Sequence, residues 1–168
     1  MDSLERQFQE KGLAGVLWQD LAVIETKGGP VLHLLRQEYA LMPYAGQFGE
    51  IYFSEVLEGQ VKAWKCHKRQ TQLFAVPCGR LLLVLFDERQ ESPSYGKVCE
   101  YLLGRPLHYG LLKIPPGIWY GFTALGGNAL LCNCADLPHD PEESLRRELK
   151  DPRIPYSFST TSSPAPDQ

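Results

Sequence analysis

From Val16 to Cys134 the chain is a succession of short apolar or alternating segments, each cut off by turn residues before a helix could complete three turns. Candidate strands fall at 22–26, 31–38, 50–57, 61–67, 72–77, 80–87, 97–103, 110–114, 117–124 and 129–134. Gly28-Gly29-Pro30, Glu58-Gly59, Pro77-Cys78-Gly79, Ser92-Pro93-Ser94, Gly104-Arg105-Pro106, Pro115-Pro116-Gly117 and Gly126-Gly127 punctuate them. Half of the 15 Gly and 13 Pro, taken together, lie in these breaks. No helix-length periodic segment separates the strands, so a parallel α/β arrangement is disfavoured and an all-β sandwich or barrel is expected. With 168 residues, the chain is long enough for one well-buried core and short for two.

The ends read differently. Residues 3–11 have helical spacing at Leu4 and Phe8, a capping Ser3 and a stop at Gly12, which predicts a short helical arm over 1–15. The main domain then covers 16–156. Within it, the polar run from Pro138 to Glu148 predicts a helical turn or two. Residues 157–168 are rich in Ser, Thr and Pro without apolar periodicity, which predicts a disordered tail.

A net charge of −3 and a pI of about 5.8 provide no global basic field for a nucleic-acid backbone. Locally, Lys62, Lys65, Lys68 and Arg69 suffice for one or two phosphates. The five cysteines are an odd number and contain no Cys-x-x-Cys pair, which supports neither a zinc site nor a disulfide framework. The first twenty residues are too charged for a signal peptide, and no apolar run approaches a membrane span. A cytoplasmic protein without membrane partners is expected.

Two glycine-bounded stretches carry the chemistry: Gly59 to Gly79 (GQVKAWKCHKRQTQLFAVPCG) and Gly110 to Phe122 (GLLKIPPGIWYGF). Together they resemble the paired signatures of a cupin barrel. In the metal-binding version, three His and an acidic residue converge on one cation; the four corresponding places here are Lys65, His67, Gln72 and Tyr120. An imidazole and carboxylate site needs three or more such ligands, and a protonated lysine offers only donors. The pocket is therefore expected to be metal-free.

Further stretches extend the likeness: Leu85 to Arg89 (LFDER), Ser92 to Lys97 (SPSYGK), Leu131 to Cys134 (LCNC), His139 to Glu142 (HDPE) and Asp151 to Tyr156 (DPRIPY). In order and spacing, from roughly residue 20 to 156, the chain resembles the dTDP-4-dehydrorhamnose 3,5-epimerase family. The resemblance implies a cupin double-stranded β-helix, or jelly roll, with a few short helices. It also implies a homodimer that takes a nucleotide-linked 4-keto-6-deoxy sugar, a dTDP-sugar in the family, with no cofactor. A 4-keto group acidifies the hydrogens on the adjacent carbons, so such a pocket needs a base, an enolate stabiliser and an acid on the opposite ring face.

Carried over by position, the family's base falls on Lys65, its enolate-supporting lysine on Gln72 and its acid tyrosine near Cys132, while the orienting aspartate is kept as Asp151. The substrate-facing arginine becomes Lys62, and the histidine after the Pro-x-Gly turn becomes Tyr120. The roles redistribute as His67 the base, Asp151 its orienting carboxylate, Lys65 the enolate stabiliser and Tyr120 the acid. Lys62, Gln72, Glu50, Tyr52, Trp119 and His139 are the expected substrate-binding residues. His67 and Lys65 lie two apart in one strand and so share a face. Lys65-Cys66-His67-Lys68 also matches part of the sugar-nucleotide 3,4-ketoisomerase pattern. The replaced positions equally fit a cupin that binds a nucleotide sugar or small metabolite without turnover.

Overall fold

The computed structural model describes residues 9–36 and 48–159. Its strands are β1 (Gln9–Glu10), β2 (Leu17–Asp20), β3 (Val23–Ile24), β4 (Val31–Leu32), β5 (Glu50–Val56), β6 (Val61–His67), β7 (Gln72–Cys78), β8 (Arg80–Asp87), β9 (Val98–Gly104), β10 (Gly110–Ile114), β11 (Ile118–Ala124), β12 (Ala129–Ala135) and β13 (Ser144–Arg146). A six-stranded sheet in the order β1-β2-β10-β7-β12-β5 faces a five-stranded sheet in the order β13-β6-β11-β8-β9, and β3 with β4 forms a separate hairpin. The named pairs are antiparallel.

Between the sheets, Phe74, Leu83, Leu85, Leu103, Leu112, Ile114, Ile118, Phe122 and Leu131 form the main core. Alternation along each strand sends intervening residues outward, where two further apolar layers form. On the six-stranded sheet, Leu73, Ala75, Leu111, Cys132 and Cys134 are covered by Leu21 and Tyr109, with Leu32, Leu34 and Leu35 packed alongside. On the five-stranded sheet, Trp64, Cys66, Val84, Phe86 and Trp119 are covered by Ile154, Tyr156 and Phe158.

The expected all-β jelly roll is the observed one, and β6, β8 and β10 have the expected bounds. Three local readings change. Residues 1–8 of the expected helical arm lie outside the described residues, but Gln9–Glu10 pairs as a strand with Leu17 and Trp18. The segment from Pro138 to Glu148 is a turn leading into β13, because the open edge of β6 supplies hydrogen-bond partners that an isolated helical turn lacks. No helix occurs among the described residues. Phe158, at the start of the expected disordered tail, packs on Trp64 at 5.4 Å between ring centroids; residues 160–168 lie outside the described ones.

Two loops fix the rim of the barrel. After Pro115-Pro116, Gly117 takes φ +83° and donates its N–H to the His67 carbonyl at 2.8 Å, and a Cβ there would meet Arg89 Cγ at 2.8 Å. Below it, the fully buried Asp87 accepts from Arg89 Nε (2.9 Å), Arg89 Nη2 (2.8 Å), Ser92 Oγ (2.6 Å) and Ser94 Oγ (2.6 Å). Ser94 Oγ in turn accepts from the Ala14 N–H, while Arg89 donates to the Ala14 carbonyl.

Candidate active site

The inner faces of β5, β6, β11 and β12 border a groove divided into two chambers. The larger, about 350 Å³, is lined by the cations Lys62, Lys65 and Arg146 over an apolar floor that includes Phe74, Phe122 and Leu131. The smaller, about 250 Å³, is lined by His67, Glu143, Glu50, Gln70 and His139 among others. Tyr52 and Lys65 border both.

His67 ends β6 and is buried at 6% exposure. Its Nδ1 meets Glu143 Oε2 at 2.5 Å and its Nε2 meets the Tyr120 hydroxyl at 3.1 Å. The second Glu143 oxygen accepts the backbone N–H groups of Arg69 (2.6 Å) and Gln70 (2.8 Å). These bonds pin the carboxylate behind the ring. Burial pushes Glu143 upward, but the two backbone donors and His67 outweigh it, and its pKa lies below the ordinary value. An ionised Glu143 makes Nδ1 the protonated nitrogen and leaves the Nε2 lone pair on the Tyr120 side.

Burial lowers the His67 pKa and Lys65 lowers it further, with Glu143 acting against both. Lys65 is lowered by burial and then by Arg146, its register partner on β13. Burial raises Tyr120 well above the phenol value. Near neutrality His67 and Tyr120 are therefore uncharged, beside a lysine whose ammonium reaches both chambers. The pair can take up a proton, and the ammonium can stabilise an oxyanion.

On the opposite wall, Tyr52 (β5), Asn133 (β12) and Phe74 (β7) form one inward-facing row. Asn133 Nδ2 donates to the Tyr52 hydroxyl oxygen at 2.9 Å and also to Gln72 Oε1. Gln72 Nε2 donates to Gln70 Oε1 (2.8 Å), and Gln70 Nε2 to the Leu137 carbonyl (2.6 Å). This amide chain underlies the smaller chamber.

Of the residues expected from the sequence, His67, Lys65, Tyr120, Lys62, Glu50, Tyr52 and His139 line the groove. Lys62 Nζ is also engaged by Ser54 Oγ (2.9 Å) and the Glu55 carbonyl (2.6 Å). Asp151 is not the carboxylate on His67. It binds Arg153 and lies 3.9 Å from Arg147 Nε, because the chain from Arg147 onward crosses the outer face of the five-stranded sheet. Trp119 also points outward: its Nε1 donates to Glu88 at 2.9 Å and Arg147 stacks on its ring at 4.0 Å. Neighbours on a strand face opposite ways, so Tyr120 inside requires Trp119 outside. Gln72 lines neither chamber and reaches Tyr52 only through Asn133. Tyr120 lies beside the base, so it cannot be the acid on the far face of a ring.

Glu143, Asn133, Gln70 and Arg146 were missed as site residues. Glu143 lies 76 residues from His67 in sequence, and only the acidic stretch within the matched segment from His139 onward hinted at it. Cys132, where the family's acid tyrosine falls, sits in the outer apolar layer. Among the described residues, no group of three or more His, Cys, Asp and Glu could hold a metal ion.

A cupin-type jelly roll enclosing a carboxylate-backed imidazole, a lysine and a tyrosine defines a carbohydrate epimerase architecture. The family model for dTDP-4-dehydrorhamnose 3,5-epimerase matches residues 8–166, and the chain belongs to that family. The chain is similar to the crystal structure of a dTDP sugar isomerase from Desulfovibrio desulfuricans G20, with 48% identity and a TM-score of 0.85 over 90% of this chain and 95% of that one. It is also 29% identical to the "Probable low-salt glycan biosynthesis epimerase Agl13" of Haloferax volcanii, over 82% of this chain and 85% of the relative. A third relative, the spore coat polysaccharide biosynthesis protein SpsL of Bacillus subtilis, is 28% identical over 76% and 79% of the two chains.

Proposed function

We propose that this sugar-nucleotide epimerase inverts a carbon next to the keto group of a nucleotide-linked 4-keto-6-deoxy sugar, with His67 as the base. The observation carrying this reading is the His67–Glu143 pair, buried at the end of β6 yet opening onto a polar chamber. Glu143 fixes the tautomer and stabilises the imidazolium that forms on proton abstraction. Electrons from the broken C–H bond pass to the carbonyl oxygen, where the Lys65 ammonium meets the enolate. Lys62, Lys65 and Arg146 in the larger chamber suit a nucleotide diphosphate, and the similarity to a dTDP sugar isomerase supports dTDP as the carrier.

The same reading makes the molecule a cytoplasmic homodimer. Its β5 edge carries the exposed, outward-facing Ile51 and Phe53, an apolar sheet edge of the kind that a second subunit covers. Incubation with dTDP-4-keto-6-deoxyglucose in heavy water tests the enzymatic claim. Deuterium enters C3 or C5 if it holds. Tight binding of several nucleotide keto-sugars without exchange would instead leave a non-catalytic binding cupin, the reading favoured by the replaced family residues at Lys65, Gln72 and Cys132.

A further inference from the structure

Inversion at a carbon needs the proton to leave from one face of the ring and return from the other. His67 and Tyr120 are hydrogen-bonded to each other at 3.1 Å and both belong to the five-stranded sheet. They therefore serve a single face. A proton taken and returned by that pair restores the starting configuration.

The facing wall belongs to the six-stranded sheet, and Tyr52 is its phenol at the junction of the two chambers. Three observations bear on it. First, it borders the chamber that contains His67, from the opposite side of the barrel. Second, Asn133 Nδ2 donates to the Tyr52 oxygen, so that bond uses an acceptor site and leaves the hydroxyl hydrogen for another partner. Third, the Asn133 amide is itself held by Gln72, which Gln70 holds in turn, so the phenol is braced by the sheet. The rival on the rim, His139, is exposed and lies in the loop leading to β13, the strand beside His67.

We propose that Tyr52 is the catalytic acid, delivering a proton to the substrate carbon from the face opposite His67; this rests on the epimerase reading above. In the step, the Tyr120 oxygen takes the proton released by the C–H bond as its own hydroxyl proton passes to His67 Nε2, and the enolate forms. As the carbonyl is restored, the carbon takes the Tyr52 hydroxyl proton. The resulting phenolate, stabilised by the Asn133 N–H, is reprotonated by solvent, and the His67 imidazolium returns its proton to solvent. Charge and atoms balance without a further reactant.

Tyr52→Phe separates the two half-steps. The phenyl ring keeps its place, and Asn133 retains Gln72 as a partner, so thermal melting should match the parent. With dTDP-4-keto-6-deoxyglucose in heavy water, the variant should lose inverted product by at least ~100-fold while still washing deuterium into sugar of unchanged configuration. Inversion at the parental rate overturns the proposal. Loss of exchange and inversion together, in a folded variant, overturns it by making Tyr52 a binding residue. The same loss of inversion in His139→Ala, with Tyr52→Phe unaffected, overturns it by moving the role to the rim. Failure of the unsubstituted protein to exchange any proton removes the underlying epimerase reading, a result distinct from all of these.

Discussion

Glu143 grips His67 with one carboxylate oxygen and the backbone of Arg69 and Gln70 with the other, so a single side chain orients the imidazole and ties the end of β6 to the segment before β13. These two duties can be separated by substitution. Glu143→Gln keeps an oxygen for the backbone donors but removes the negative charge behind the ring, and proton abstraction should fall by about 10²–10³ with little change in melting. Glu143→Ala also strands two N–H groups and should cost roughly 2–3 kcal/mol in chemical denaturation. Equal stability losses in the two variants would contradict this division.

The pH profile has a determined sign. His67 titrates below its ordinary 6.5, so the active neutral form persists into mildly acidic solution and the acid limb of kcat/KM should fall below pH 6.5. Because Glu143 raises the His67 pKa, Glu143→Gln should move that limb to still lower pH. Stability follows the same linkage. The contribution from a neutral buried His67 is complete above the unfolded value near 6.5 and is lost as pH falls from there towards the folded value.

Lys65→Met tests the oxyanion contact. Loss of the ammonium should reduce the rate of enolate formation by about 10²-fold or more. It should also raise the acid limb towards 6.5, because Lys65 is one of the groups that depress His67. A slower enzyme with an unmoved limb would show that Lys65 does not act on the imidazole.

The outer clasp over β6 makes a stability prediction. Phe158→Ala removes a half-buried ring from Trp64 and Tyr156 and should cost about 1 kcal/mol. Gly121→Ala should cost more, about 1–3 kcal/mol, because its Cβ would stand 2.5 Å from the Ala63 Cβ and force β6 to move. Urea titration of both variants orders them; a more stable Gly121→Ala would contradict the packing described.

The strands were readable because alternation and turn chemistry agree along most of the chain. β6, with Lys65 and His67 two apart, declared its shared face directly. β2 was not readable: Leu17–Asp20 is too short to show a period, and its pairing with β10 is held by Trp18 lying over Gly110. β13 was misread because Glu142, Glu143, Leu145, Arg146 and Arg147 favour helix locally, whereas the unpaired edge of β6 decides the matter from a distance. The carboxylate partner was misassigned for a related reason. Asp151 and Glu143 both follow the last long strand, and only the path of the chain tells which turns into the barrel and which crosses its outside. Asn133 was hidden by register, since nothing in Leu131-Cys132-Asn133-Cys134 distinguishes the inward side chain from the outward ones.

The Asp87 knot has a consequence for how the molecule comes apart. Ala14 is fastened at both its N–H and its carbonyl to side chains some 75 to 80 residues further along, in the turn after β8. The chain entering β2 is thus tied to that turn as well as closed on itself by the bonds between Lys11 and Val16 and between Val16 and Leu13. Amide protons at 13–16 and 94–97 should consequently exchange with solvent in a single concerted opening, although these loops lead into strands of opposite sheets.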